Sequence, residues 1–228
     1  MYTKIVLPAL LMAGLFTAFP AQLVYAGCYD KRAPGMDWSG CKKVNKMLNK
    51  SNFSGSSFDG ANLGRSTLDD SIFNGASMVK TEMMRAKARR AVFESADLTK
   101  AAGYRANFDK SVFRDSTLTK SEFFRASFRE AELFGIDWSK SELGRVDFTG
   151  AKLENISFEF TNLSRVVFDR ATLKNIQFRG AYTYRTRFEN VDLSETNLSQ
   201  LQIDLSCGNA DTKLAEGRWM PDTWPCTD

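Results

Sequence analysis

No histidine occurs anywhere in this chain of 228 residues. That removes Ser-His and Cys-His nucleophiles and every imidazole ligand for a metal. No cysteine stands between Cys41 and Cys207, so the long middle of the chain has neither a thiolate metal site nor a covalent staple. Glycine-rich phosphate loops and EF-hand loops are missing as well. Beyond residue 26 no apolar run approaches the roughly 18 residues that a membrane-spanning helix needs. An excess of one charge is also lacking: residues 27–228 hold 30 Lys and Arg against 27 Asp and Glu, so charge must act through its placement. These gaps weigh against an enzyme and predict no cofactor.

What is present begins with MYTKIVLPALLMAGLFTAFPAQLVYAGC. A basic start at Lys4, an apolar stretch from Ile5 to about Phe19 and the small residues around Val24-Tyr25-Ala26 predict a signal peptide over 1–26. The protein is therefore expected to be exported, to the periplasm or the medium. In that oxidising setting Cys28–Cys41 and Cys207–Cys226 are the most economical of three pairings. Each would close a short loop and contribute about 3 kcal/mol in the chain-entropy model. The alternative for Cys28 is a lipoprotein cleavage box, Tyr25-Ala26-Gly27-Cys28, with lipid on that cysteine. Against it, Tyr25 stands where an aliphatic residue is usual, and Cys41 would lose its partner.

The middle of the chain keeps a beat of five. Stepping by five from Leu48 to Ile203 visits thirty-two positions without an insertion, and twenty-five of them are Phe or Leu. Two places upstream, Ala, Ser or Thr occupies twenty-four of thirty-one positions and aliphatic residues fill the rest. Neither a helix near 3.6 nor a strand at 2 has this period. Five residues make one straight side and a corner, and four sides close a square coil. Stacked coils then pair their backbones as parallel strands, with large side chains on the axis and small ones near each turn. Runs such as FSGSS, FDGAN and FNGAS place Gly and Asn where corners need turn geometry.

This pattern, with ANL at 61–63, ADL at 96–98 and ANF at 106–108, resembles the pentapeptide-repeat family over residues 48–203. The resemblance implies an all-β fold, a right-handed quadrilateral parallel β-helix of about eight coils. At about 4.8 Å per coil the rod would be roughly 38 Å long. The division expected is signal peptide 1–26, N-terminal cap 27–47, repeat helix 48–203 and C-terminal cap 204–228. Trp38 is in phase with the beat, but Lys43 would then fall on the axis, so the regular helix is taken to start at Leu48. Phe108, Phe128, Phe148, Phe168 and Phe188 should form one column, and Leu133, Leu153, Leu173 and Leu193 another. Ala88 and Gly103 thin the core and Trp138 overfills it, which predicts a local bulge or bend. Trp219 and Trp224 in the tail are expected as a lid on the last coil, with a carbohydrate-binding pair as the sharper alternative.

The best-known activity in the family is mimicry of duplex DNA by an acidic rod that binds DNA gyrase. An exported, net basic chain departs from that pattern, and nucleic acid as a partner has no motif here. One surface feature stands out. Corner residues two places past every fourth axial position read Arg65, Arg85, Arg105, Arg125, Arg145, Arg165 and Arg185. The preceding corner reads Lys80, Lys100, Lys120 and Lys140, and the side between includes Glu82, Tyr104, Glu122, Phe124 and Glu142. The expectation is a non-enzymatic scaffold that binds another macromolecule. Its candidate face comprises Arg85, Arg105, Arg125, Arg145, Lys100, Lys120, Tyr104 and Phe124, and the chemistry suggests an anionic envelope polymer. The alternative is a polysaccharide-active β-helix enzyme of the cell envelope. Outward Phe124, Phe134 and Phe160 leave a homodimer open.

Overall fold

The structure, a computed structural model, describes residues 27–226; the expected signal peptide lies outside them. The chain winds as a four-sided parallel β-helix. On each side the axial residue points inward, and a tight turn follows it. The turn is closed by the N–H three residues on, as from Ser56 to the Phe53 carbonyl at 3.1 Å and from Ala61 to that of Phe58 at 2.8 Å. Each side then pairs with the same side one coil later. Phe53 N–H donates to the Ile72 carbonyl at 2.7 Å, and Ile72 N–H to that of Ser51 at 2.9 Å. The register is twenty residues: Asp37 pairs with Ser57, Ser57 with Ser77, and so on to Ser157 and Gln177. One side is regular enough to form a parallel sheet of five strands, β1 Val92–Glu94, β2 Val112–Arg114, β3 Glu132–Phe134, β4 Lys152–Ser157 and β5 Thr172–Gln177, in sequential order.

The corners differ from expectation. Every fifth residue from Gly35 to Asn190 has positive φ, and most are not Gly or Asn but Lys, Arg or Asp, at φ between 48 and 61°. A type II turn demands this geometry at its third residue, although a left-handed L-residue costs roughly 1–2 kcal/mol. What holds it is the next coil. The corner N–H donates outward along the stack, as from Arg85 to the Tyr104 carbonyl at 2.9 Å and from Arg145 to that of Ser164 at 2.9 Å.

The axial residues are buried as the beat predicts, from Phe53 to Leu198. Phe108, Phe128, Phe148, Phe168 and Phe188 stack with successive centroids 4.8, 5.4, 5.1 and 5.3 Å apart. A second phenylalanine column, Phe73, Phe93 and Phe113, stacks at 4.9 and 4.3 Å and continues as Leu133, Leu153 and Leu173 through the paired strands. The small positions do more than fit. Buried Ser and Thr hydroxyls donate to axial carbonyls one coil back, Ser71 to Leu48 at 2.9 Å, Thr81 to Phe58 at 2.8 Å and Thr161 to Trp138 at 2.8 Å.

The expected bulge is absent from the ladder, which keeps its step of twenty past Gly103 and Trp138. The room left by Gly103 is taken by the Phe123 ring, 2.3 Å from where a Cβ would stand. Trp138 fits because its indole N–H donates to Ser121 Oγ at 3.1 Å inside the core.

Both boundaries move. Asp37, Lys42 and Met47 already pair with Ser57, Asn62 and Thr67, so much of the expected N-terminal cap is coil. Trp38 is 2% exposed on the axis. Lys43 is tolerated there because this first coil has an open end: its ammonium lies 3.6 Å over the Trp38 ring and bonds to the Cys28 carbonyl. Burial against that ring pulls the Lys43 pKa below the usual lysine value. At the other end α1, Gln200–Asp204, replaces the last side, opened by a capping box between Ser199 and Gln202. Ile203 is therefore buried from a helix rather than from a coil side.

Both expected disulfides are formed, Cys28–Cys41 and Cys207–Cys226, with Cα separations of 5.5 and 5.4 Å. The Cys28 sulfur is thus bonded to Cys41. The two tail tryptophans part company. Trp224 is buried, donates to the Ser206 carbonyl at 2.8 Å and covers Gly208, whereas Trp219 is 63% exposed. Only one of them is a lid, and they do not form an exposed sugar-stacking pair. Among the described residues no helix is long and apolar enough to cross a membrane.

Candidate anion-binding edge

A left-handed corner directs its side chain away from the coil, so a residue repeated at a corner builds a row along the rod's edge. One edge carries Arg65, Arg85, Arg105, Arg125, Arg145, Arg165 and Arg185, all at φ between 54 and 61°. Their N–H groups are fixed by the following coil: Arg105 to Phe124 at 3.1 Å, Arg125 to Gly144 at 3.0 Å and Arg165 to Tyr184 at 2.8 Å. The backbone of the row is therefore rigid while the guanidinium groups reach out.

Elsewhere on the rod, cations meet acids one coil away. Arg90 grips Asp70 through two hydrogen bonds of 2.7 and 2.9 Å, Arg179 holds Glu159 at 3.0 and 2.7 Å, and Lys174 meets Glu154 at 2.9 Å. Those acids hold the Arg90, Arg179 and Lys174 pKa values above their ordinary ones, by hydrogen bonding first and charge second. From Arg65 to Arg185 arginine follows arginine along the stack on this edge. Arg65, Arg85, Arg105, Arg125, Arg145 and Arg165 make no ion pair among the described residues.

The structure gathers four of the expected residues into a cluster. Tyr104 and Phe124 stack with centroids 6.0 Å apart and planes 3° from parallel. Arg105 lies 5.4 Å from the Tyr104 ring and Arg125 5.5 Å from the Phe124 ring, each a cation over its neighbour's face. Phe124 also leans over Gly144, whose missing side chain leaves it room. Arg85 and Arg145 flank this cluster along the edge. Lys100 and Lys120 are exposed at the preceding corner of the same side and make no ion pair among the described residues. The exposed Glu122 and Glu142 lie between the two edges, so the lysine and arginine rows are not one continuous basic strip.

Two features escaped sequence reasoning. Phe134 is half-buried, with the Arg114 guanidinium 4.6 Å over its ring, rather than exposed. A concavity of about 500 Å³ lies at the C-terminal end of the arginine edge. No insertion interrupts the repeats, and its wall comes from the returning tail, which no periodicity shows.

Comparison with known proteins agrees with this architecture. A family model for a pentapeptide repeat region matches residues 121–198, and one for eight pentapeptide repeats matches residues 47–75. No curated protein matches the chain. Among solved structures, two trypsin-treated variants of QnrB1, a plasmid-mediated fluoroquinolone resistance protein, are each 18% identical. One aligns over 82% of this chain and 93% of its own with a TM-score of 0.59, the other over 80% and 91% with 0.58. HetL, a pentapeptide repeat protein involved in heterocyst differentiation regulation in the cyanobacterium Nostoc, is 19% identical over 84% of this chain and 92% of its own, at a TM-score of 0.39. The likeness to QnrB1 is one of fold. With its unbroken five-residue beat, its twenty-residue coils and the two family models that match it, the chain belongs to the pentapeptide-repeat family.

Proposed function

We propose that the protein is an exported, non-enzymatic scaffold that binds an anionic macromolecule along its arginine edge. The observation that carries this reading is the row Arg85, Arg105, Arg125 and Arg145, repeated at left-handed corners with no ion pair among the described residues. Coil spacing sets equivalent side-chain origins about 4.8 Å apart, where two unit charges repel by roughly 0.9 kcal/mol in water before screening. A folded protein gains nothing from repeating that choice. A polyanion relieves it, because each phosphate or carboxylate can be shared by successive forked guanidinium groups. The stacked Tyr104 and Phe124 add flat apolar contact beside Arg105 and Arg125. Export fits the two disulfides, and it places the partner among anionic envelope polymers, such as phosphate-bearing glycans. Lys100 and Lys120 sit on the far rim of the same side and assist only a broad ligand, since Glu122 and Glu142 intervene.

The test is retention on an immobilised anionic polymer across a salt gradient. The variant Arg105→Asn, Arg125→Asn, Arg145→Asn is the comparison, since Asn accepts left-handed φ. The variant should elute at clearly lower salt; coelution with the wild type would reduce the edge to surface. Intact mass of the protein recovered from the envelope checks removal of residues 1–26 and the two disulfides together.

A further inference from the structure

The two ends of the rod carry opposite charge. Residues 27–50, the lead-in and first coil, hold six Lys and Arg against two Asp, whereas residues 204–226 hold two against four acids. A rod charged in this way turns its N-terminal end toward any anionic surface. That end is also where the stack begins. Among the described residues Asp37, Lys42, Met47 and Asn52 pair only with the following coil, at Ser57, Asn62, Thr67 and Ile72. The first coil therefore presents a sheet edge.

The cations there are not neutralised from within. Lys31, Lys42 and Lys46 are exposed and make no ion pair among the described residues. Arg32 donates only to uncharged groups, the Met47 carbonyl at 3.2 Å and Ser51 Oγ at 3.4 Å. The other two are engaged: Lys43 lies over Trp38, and Lys50 acts on the Asp70 carboxylate. Of the two acids, Asp37 accepts the Ser39 N–H at 2.8 Å. Asp30 is one carboxylate among Lys31, Arg32 and Lys46, which line a common concavity of about 450 Å³.

Lysine at a sheet edge keeps other strands from adding to it. Protection alone does not account for the apolar side chains beside these lysines. Met47 lines the same concavity and is 79% exposed, and Tyr29, next to Asp30, is wholly exposed. Ammonium groups on long apolar stems, set beside Tyr and Met, suit a layer of lipid headgroups. The charges meet phosphates while the apolar parts enter between them. A threadlike polymer suits an edge that runs along the rod; a blunt end one coil deep suits a plane.

We propose that the N-terminal end docks on an anionic phospholipid bilayer, so that the rod stands on its first coil. Lys31, Arg32, Lys42 and Lys46 supply the charge, and Tyr29 and Met47 the apolar contact. The arginine edge runs along the rod and stays free in this pose. The docking end therefore shares no residue with the polymer-binding reading and does not rest on it.

Flotation of the disulfide-intact protein with vesicles tests it, comparing phosphatidylglycerol mixed into phosphatidylcholine with phosphatidylcholine alone. Binding should be confined to the anionic vesicles and should weaken as salt rises. Each basic residue at such a surface contributes about a factor of five. The variant Lys31→Gln, Lys42→Gln, Lys46→Gln should therefore partition about a hundredfold more weakly, with its urea midpoint unchanged. Met47→Ser should weaken partitioning at least about threefold. The variant Arg105→Asn, Arg125→Asn, Arg145→Asn should float as the wild type does. Failure to bind anionic vesicles overturns the docking, as does wild-type partitioning in either the folded lysine variant or Met47→Ser. If the lysine variant also elutes early from the immobilised polymer, the end is a general polyanion site and membrane docking falls. If vesicles are bound as described while the arginine variant coelutes with the wild type from the polymer, docking stands and the edge reading falls. If only the arginine variant loses the vesicles, the edge stands and docking falls.

Discussion

Two edges of this rod are built from the same backbone and used in opposite ways. At one corner Asp70 and Arg90 follow each other and close a two-bond ion pair, and further along it Lys110 meets Glu130 at 3.3 Å. At another corner arginine follows arginine through seven coils, and six of those side chains have no ion pair among the described residues. The backbone is equivalent at both, with φ near 57° at Arg90 and Arg85 alike. The solenoid itself therefore does not dictate the like-charge row. Opposite signs at a spacing of twenty neutralise an edge from within, whereas one repeated sign leaves it to be neutralised from outside.

The largest effect should come from converting one edge into the other. Arg105→Glu with Arg145→Glu gives Arg125 acids one coil away, as Arg90 has in Asp70. Polymer affinity should fall about a hundredfold, because two attractions become repulsions, while stability is kept or raised. Parallel salt-gradient elution and urea titration read the two quantities; retained affinity would break the comparison.

The next effect lies on a paired side. Asp69 is 6% exposed and accepts the Arg89 backbone N–H at 2.9 Å and its Nη2 at 2.6 Å. Asp69→Ala strands these donors and should cost about 2 kcal/mol in a urea titration, with polymer binding untouched. A loss below a few tenths of a kcal/mol would mean that paired sides are no more structural than the arginine edge.

A smaller change is expected from Arg105→Asn, Arg125→Asn, Arg145→Asn. It removes mutual repulsion and eases three left-handed corners, so stability should stay within about 0.5 kcal/mol of the wild type or rise. A marked drop in melting temperature would show that the row supports the fold.

The smallest is a pH effect. Hydrogen bonding and charge from Arg90 hold the Asp70 carboxyl below the usual range, and Ser194 does the same for Asp192. A carboxyl depressed in the folded state stabilises above its unfolded pKa, near 4, and that contribution is lost as pH falls through the folded value. Acidification below pH 4 should therefore loosen paired edges slightly, while the arginine row keeps its charge. Urea midpoints at pH 3 and pH 6, in wild type and Asp70→Asn, measure the difference. An equal drop in both proteins would exclude Asp70 as its source.

Much of this was readable from residues alone, for a reason specific to solenoids. Every coil repeats one local problem, so Phe108 and Phe128 face the same axis and a simple count finds them. The arginine edge was visible by the same count. The departures fall where repetition ends. Lys43 breaks the apolar beat, yet it sits at the end of the stack, where its ammonium covers the Trp38 ring and bonds to the Cys28 carbonyl. Trp219 and Trp224 read alike in sequence and differ in burial, because the tail's path is set by the Cys207–Cys226 bond and not by a period. Gly103 looked like a gap, but the Phe123 ring one coil on moves into it, a contact across twenty residues.

By itself the sequence determined the coil, its axial columns, the paired cysteines and the identity of each corner residue. Those depend on which side of a backbone a side chain leaves, and a strict period reports that directly. Tertiary structure alone decided which charges are paired, since an ion pair depends on the residue one coil away and on a few ångströms of side-chain reach. It also decided that corners need no glycine, because hydrogen bonds from the next coil hold lysine and arginine in left-handed geometry. The cavity beside Arg165 and Arg187 is likewise tertiary: it exists because the tail folds back against the last coil, a long-range contact with no local signature.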